Sequence, residues 1–406
     1  MACHPRATEW TTIIHTHLPP LTKPQAPVWA LGSLGMVLAR CCALTAVSAF
    51  LAMGLHRQED AVRQQVREFG YEATAKRGPA RQALVIETCW VPLWAWVVAP
   101  WAGPPVALAL AATPWGSRLP VVALRGVSRG WALPVAWSVL AATAPQAWRR
   151  AWWRRLRHVR RALPRAWTGL GLADRGLDAR WVCRRLPRLG GHPFLRIHTG
   201  GTVRPTGHGR GGPLKTVGPE PGPTWQGTGS AFKGRNRQLH WTLRAGGEPG
   251  EQEPWVLLTA LPPAASTACW YGLRAWMEQG FTLTKRAGWP WQRTRMPQPA
   301  RAARLGRAVA GAPWGGVSVG GAAEETSPAS TVLDVTALVP QPARPRRATR
   351  LRLVSVLRRG WPLRLVAWRD QAPLPLGRFV PAPWPAVPVP EAVPPSLPAL
   401  ALPQAA

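Results

Sequence analysis

The sequence predicts a mixed α/β protein headed by an all-helical region, and three patterns carry that prediction. Apolar residues recur at helical spacing from Val28 to Gly78. Three short apolar runs between Val106 and Val139 are followed by alternating helical and strand patterns as far as Ile197, the order that builds a sheet with helices on its faces. From Gly190 to Pro254 glycine, proline and threonine dominate, which favours turns and short strands over helix.

In the helical region, Ala43 to Met53 presents Leu44, Val47 and Leu51 on one side, and Gly54-Leu55-His56 supplies a turn. A second helix from about Glu59 to Phe69 buries Val62, Val66 and Phe69 and exposes Arg63, Gln64 and Arg67. Two short helices joined at a glycine, with Arg and Gln outward, fit a helix-turn-helix DNA reader. The alternative is an ordinary helical scaffold with a solvated basic face.

A helix is expected from Gln82 to about Val98, interrupted near Pro92. Val106 to Thr113, Leu119 to Val127 and Trp131 to Val139 read as strands, punctuated by Gly126 and Gly130. Gln146 to Leu163 is helical, with Trp148, Trp152, Leu156, Val159 and Leu163 forming one stripe. Arg149, Arg150, Arg154, Arg157 and Arg161 lie mostly off that stripe and read as solvated charges adding to a general positive field. A strand from Thr168 to Ala173 ends at Asp174, a helix covers Ala179 to Leu186, and Pro193 to Ile197 is a further strand. Trp255 to Leu261 leads as a strand into a helix from Ala264 to Lys285, and Ala300 to Ala310 forms another helix. Leu351 to Trp368 packs as helix or strand, whereas Pro373 to Ala406, with eleven prolines, is expected to be extended or disordered.

A chain of 406 residues suffices for two or three domains. Its 51 Lys and Arg against 18 Asp and Glu give a net charge of +33, which points to a polyanionic partner held in a salt-dependent way. Only five of the cations are lysines, so part of the arginine excess reflects GC-rich codons rather than binding. Twenty-five tryptophans against two tyrosines exceed ordinary usage, and some are expected to be drift in a copy no longer under selection. The six cysteines show no C-x2-C pair and no zinc-like spacing with His, as free thiols in a reducing cytoplasm would. Thr88 to Gly116 carries no charge and has the length of a membrane span. Pro92, Pro100, Pro104, Pro105 and Pro114 break it repeatedly, so a buried helix followed by a buried strand is expected.

The chemistry concentrates between Ala264 and Lys285, where Tyr271, Arg274, Glu278 and Lys285 are spaced Tyr-x2-Arg-x3-Glu-x6-Lys. On an α-helix, at roughly 100° per residue, these side chains fall within an arc of about 60°. A carboxylate, two cations and a phenol on one face suit a metal ion held beside a phosphate backbone. A solvated face with chance charges is the alternative.

That spacing matches the YREK signature, and the chain resembles the DDE transposases of bacterial insertion sequences. Leu172-Ala173-Asp174-Arg175-Gly176 is similar to the second catalytic block of that family, and Trp289-Pro290-Trp291-Gln292-Arg293-Thr294-Arg295-Met296 to the segment after its glutamate helix. The resemblance runs from about Leu21 to Pro390.

It implies an α/β fold with an RNase H-like core, interrupted by a β-rich insertion and preceded by an all-α helix-turn-helix-like domain. The implied divisions are a DNA-recognition domain over 1–80, core over 81–190, insertion over 191–254, core with the YREK helix over 255–320, and a C-terminal region with a proline-rich tail over 321–406. The implied reaction is cut-and-paste DNA cleavage and strand transfer, with two Mg²⁺ or Mn²⁺ ions held by three carboxylates. Asp174 and Glu278 stand at the second and third carboxylate positions, but the first falls on Ala111. No Asp or Glu lies between Thr88 and Ala173, and a displaced acid such as Glu87 or Asp178 suits octahedral Mg²⁺ poorly. Metal binding is therefore expected to be weakened and this copy catalytically impaired. Tyr271, Arg274 and Lys285 are the implied contacts to the transposon end, joined by Arg63 and Arg67 in the N-terminal domain. The implied partners are duplex DNA at terminal repeats and at the target, and a second copy of the chain bound as a homodimer. No membrane partner is expected, and the location is cytoplasmic, at the nucleoid. The alternative is a non-catalytic relic that occupies transposon ends and inhibits active copies.

Overall fold

The structure, a computed structural model, describes residues 4–78, 82–103, 105–115, 119–141, 147–167, 169–177, 180–207, 211–214, 225–231, 239–246, 255–274, 276–277, 280, 289, 296, 298–326, 356–381 and 384. It opens with four helices: α1 (Pro5–His17), α2 (Gln25–Ala39), α3 (Leu44–Leu55) and α4 (Glu59–Glu68). Helix α1 starts at Pro5, where a missing N–H costs nothing, and buries Ala7, Trp10 and Ile14 at helical spacing. Helix α4 carries Glu59 and Asp60 in its first turn and Arg67 in its last, matching the helix dipole. The reversal between α3 and α4 falls at His56, the last residue of the expected Gly54-Leu55-His56 turn, which adopts a left-handed φ of 50°. Gly54 instead lies inside α3, where an added Cβ would come within 2.9 Å of the Trp368 ring.

Helix α5 (Trp90–Val98) follows a 3₁₀ turn over Ile86–Cys89. The strands are β1 (Val106–Trp115), β2 (Leu119–Ser128), β3 (Trp131–Val139), β4 (Gly169–Ala173) and β5 (Gly191–Arg196), with α6 (Ala147–Arg161) before β4 and α7 (Arg180–Arg185) before β5. Strands β6 (Thr202–Pro205), β7 (Gly212–Pro213), β8 (Trp225–Ala231), β9 (Leu239–Gly246) and β10 (Trp255–Thr259) continue the same sheet. Its ten strands run in the order β3-β2-β1-β4-β5-β10-β9-β8-β6-β7. Strands β1 to β3 form an antiparallel meander, β4 is parallel to β1 and β5 to β4, and β10 returns antiparallel to β5. The chain thus has the mixed α/β class that its patterning predicts.

The two faces of the sheet are covered differently. Val106, Leu108 and Leu110 of β1 join a cluster with Trp152, Leu156 and Val159 of α6, Val182 and Cys183 of α7, and Leu186 just after it. Their alternate neighbours Ala107, Ala109 and Ala111 join a second cluster with Leu170, Leu172 and Phe194, capped by Tyr271, Leu273, Trp276 and Met277. The period of two along a strand separates these sets. Gly126 on β2 lets the Trp94 indole of α5 lie against the sheet, since a Cβ there would overlap the ring.

Two long helices follow, α8 (Pro299–Thr326) and α9 (Val356–Arg369). The first is far longer than the expected Ala300–Ala310. They meet at glycines: a Cβ on Gly320 would overlap the Val356 carbonyl oxygen, and one on Gly360 the Gly316 carbonyl oxygen. Trp29 of α2 lies against Gly311 and, at 5.5 Å between ring centroids, against Trp314. The N-terminal helices thereby pack on α8.

Tryptophan is the main filler of this interior, and Trp29, Trp90, Trp94, Trp131, Trp152, Trp276, Trp289 and Trp314 are each less than 2% exposed. Trp289 donates from Nε1 to the Met36 carbonyl at 2.9 Å and stacks on Trp361. The chain from 372 to 381 is extended but packed, with Leu374, Phe379 and Val380 buried and Trp101 Nε1 donating to the Phe379 carbonyl at 2.9 Å. Among the described residues, no single helix is long and apolar enough to cross a membrane.

Candidate functional site

The site expected around Asp174 begins at the junction of β1 and β4. The last parallel pair in their register is Leu110 with Ala173. Ala111 and Asp174 each follow that pair by one residue and so stand side by side at the C-terminal end of β4. Alternation along β4 places Asp174 with Leu170 and Leu172, on the face capped by the segment that carries Tyr271 and Arg274. Ala111, expected at the position of a first carboxylate, is therefore a neighbour of Asp174. Ala111 is 5% exposed and packs as a core methyl group.

The capping segment departs from expectation in its local form. Ala268–Arg274 is a 3₁₀ helix rather than α-helix. At three residues per turn, positions three apart eclipse, so Tyr271 and Arg274 still share a side. Arg274 Nη2 donates to Asp174 Oδ2 at 2.6 Å, with the arginine side chain 13% exposed and the aspartate 45%. Tyr271 was expected at DNA but is buried, 5.1 Å from Trp255 in an edge-on contact. Its ring is drawn in because the segment must cover the apolar β4, β5 and β10 surface. Glu278 and Lys285 lie outside the described residues, as do Asp178, Trp291, Arg293 and Arg295.

A second cation sits deeper on the same face. Arg125 of β2 is opposite Ala109, is 3% exposed, and donates from Nη1 to the Ala132 carbonyl at 3.0 Å. Burial pushes its pKa down to about 9, which leaves it charged at neutral pH. Gly280 approaches this guanidinium so closely that a Cβ there would crowd Nη1.

Of the two acids considered as stand-ins, Asp178 lies outside the described residues and Glu87 does not reach this site. Glu87 belongs to the opposite face, where Arg155 of α6 donates to it at 2.9 Å and also to the Ser138 hydroxyl at 2.8 Å. Among the described residues no cluster of three His, Cys, Asp or Glu is arranged to hold a metal ion. One carboxylate already bonded to Arg274, beside an alanine, does not fit a two-metal centre. Among the described residues the site holds two largely buried guanidinium groups, Arg125 and Arg274, and one ion-paired acid, Asp174.

The Arg155–Glu87 pair has a pH signature. Burial raises the Glu87 pKa, but its backbone hydrogen bond and the Arg155 guanidinium outweigh burial and hold it below the usual carboxylate value. A carboxyl depressed by folding adds stability above its unfolded pKa, and that stability is lost as pH falls through the folded pKa. Because the acid is 44% exposed, the contribution is about 1 kcal/mol or less. Glu87→Gln is expected to lower the unfolding midpoint at pH 7 and to match wild type well below about pH 4. A deficit that persists in acid would contradict this.

In the helical region, Arg63 and Arg67 are both on the exposed face of α4. Arg63 pairs with Asp60, and the Arg67 guanidinium lies 5.7 Å from the Tyr71 ring centroid. Patterning alone missed four buried arginines, Arg125, Arg155, Arg304 and Arg364. Arg125 and Arg364 each interrupt an apolar run, which is a signal the sequence offers, whereas Arg155 and Arg304 sit among further arginines.

No family model matches the sequence, and no curated protein matches it. Among solved structures the chain is similar to the piggyBac transposase in its synaptic complex with hairpin DNA, with 9% identity over 76% of this chain and 70% of that one. The TM-score is 0.36, a likeness too low to bear on function.

Proposed function

We propose that this chain is a DNA-binding protein of the insertion-sequence DDE transposase type whose cleavage centre is impaired. The observation that carries the reading is the register that sets Ala111 beside Asp174, at the two positions where adjacent strands of such an enzyme would each present a carboxylate. The order β3-β2-β1-β4-β5, with a meander and two parallel strands, supports an RNase H-like core. The YREK spacing and the net charge of +33 support a DNA substrate, held by duplex contacts at the transposon ends and the target, with two copies of the chain bridging two ends. If Mg²⁺ or Mn²⁺ binds, Asp174 and Glu278 are the residues that would hold it, and it would supply an activated nucleophile and charge stabilisation at phosphorus.

The Arg274–Asp174 pair favours a second reading within this one, a relic that occupies ends without cutting them. A guanidinium bonded to the one described acid competes with any cation for its oxygens. The purified chain should bind duplex DNA from the borders of its own element in a salt-dependent manner and leave it un-nicked in Mg²⁺ or Mn²⁺. Robust metal-dependent nicking would overturn the impairment, and absence of duplex binding would overturn both readings.

A further inference from the structure

On the face of the sheet away from Asp174, a cleft of about 960 Å³ opens between α6, α7, the end of β3 and the start of α8. Arg149, Arg150 and Arg154 of α6 and Arg185 of α7 line it, and all four are exposed. No salt bridge ties any of these four to a carboxylate among the described residues. The acid in the lining, Glu87, is already held by Arg155. Four like charges from two helices thus converge on one concavity, an arrangement that repels itself until a polyanion enters.

The cleft also offers ring surface. Trp137 and Trp181 form part of its wall, and the Arg185 guanidinium lies 5.2 Å from the Trp153 ring centroid. Its volume is at the upper end for ligand clefts, far more than one phosphate needs. Cations that track a backbone, together with aromatic faces that stack bases, are what unpaired nucleic acid requires.

The geometry points to a binding site for single-stranded nucleic acid in this cleft, with Arg149, Arg150 and Arg154 on the phosphates and Trp181 against a base. It does not depend on the cleavage reading, because α6 and the Asp174 site lie on opposite faces of the sheet. The three arginines are exposed, so replacing them removes charge without opening the core.

The test is fluorescence anisotropy of a labelled oligothymidylate across a salt series, with the full chain, an Arg149→Ala/Arg150→Ala/Arg154→Ala variant and a charge-matched Arg57→Ala/Arg77→Ala/Arg204→Ala variant. At about 0.1 M salt the cleft variant should bind at least tenfold more weakly, with a log–log salt slope shallower by about 2. The charge-matched variant should stay within about twofold of wild type. Equal losses in the two variants would mean that only the overall field attracts the strand, and would overturn the site. An abasic strand of the same length should bind wild type about tenfold more weakly. If it binds as tightly as oligothymidylate, the cleft is a phosphate site and the single-strand assignment fails.

Discussion

Gly320→Leu will destabilise the protein by about 4 kcal/mol or more, because the space a side chain needs is filled by backbone. At this position α8 meets the first turn of α9, and an added Cβ would overlap the Val356 carbonyl oxygen. Gly316 and Gly360 are built into the same contact, so no neighbouring side chain can rotate away. Overpacking against side chains costs about 1–3 kcal/mol, and backbone cannot relax as side chains do. The helices must separate, exposing Val356 and Leu357, each about 2% exposed. Gly169→Ala is the matched control, since a Cβ there meets nothing within 4 Å, and its effect should stay within about 0.5 kcal/mol. Urea unfolding of the two variants checks this. A Gly320→Leu variant as stable as wild type would mean that α8 and α9 do not touch in this way.

Arg304→Ala should cost about 3 kcal/mol. Arg304 sits near the start of α8, is 8% exposed, and donates to the Leu84 and Gly70 carbonyls, each at 3.3 Å, and to Glu72 at 2.7 Å. Removing the guanidinium strands two carbonyl oxygens in the interior and loses a charge-assisted bond. The Glu72 side chain is 57% exposed and is re-solvated at little cost, so the loss falls on the carbonyls. These bonds tie the chain after α4 to the helix that packs on β3. Arg304→Lys should recover only part of the stability, since an ammonium lacks the planar fork. A loss below about 1 kcal/mol on thermal or urea unfolding of Arg304→Ala would contradict this role.

Strands β1 to β3 were legible in the sequence because they are apolar runs of β-strand length, the last two parted at Gly130, and α6 because its tryptophan stripe repeats at helical spacing. The length of α8 was not legible. Its Gly311, Gly315, Gly316, Gly320 and Gly321 look like helix breakers but serve as a surface of small residues on which Trp29, Arg364, Leu357 and Gly360 pack. Proline in 373–381 read as extended or disordered chain; what it did not show is that Leu374 and Phe379 anchor this extended stretch in the core. Helix α1 was overlooked because its polar residues mask a three-residue apolar stripe.

At the site, the resemblance implied that Ala111 and Asp174 end adjacent strands; the two are neighbours, with Asp174 just past the end of β4 but Ala111 within β1. It did not reveal that Arg274, 100 positions further on, bonds Asp174, because such a pair depends on how the capping segment crosses the sheet. Nor did it reveal the burial of Tyr271. A helical-wheel argument assigns residues to a face but cannot say whether that face meets water or another layer of protein.

The proposal of an impaired cleavage centre is tested most directly by comparing wild type with Ala111→Asp in metal-dependent nicking of duplex DNA from the borders of the proposed element. Cleavage by Ala111→Asp alone, in Mg²⁺ or Mn²⁺, is the predicted result, because it restores the one carboxylate that the register places beside Asp174. Equal cleavage by the wild-type chain would contradict the account, since a protein with alanine at this position would then be doing the chemistry with other acids.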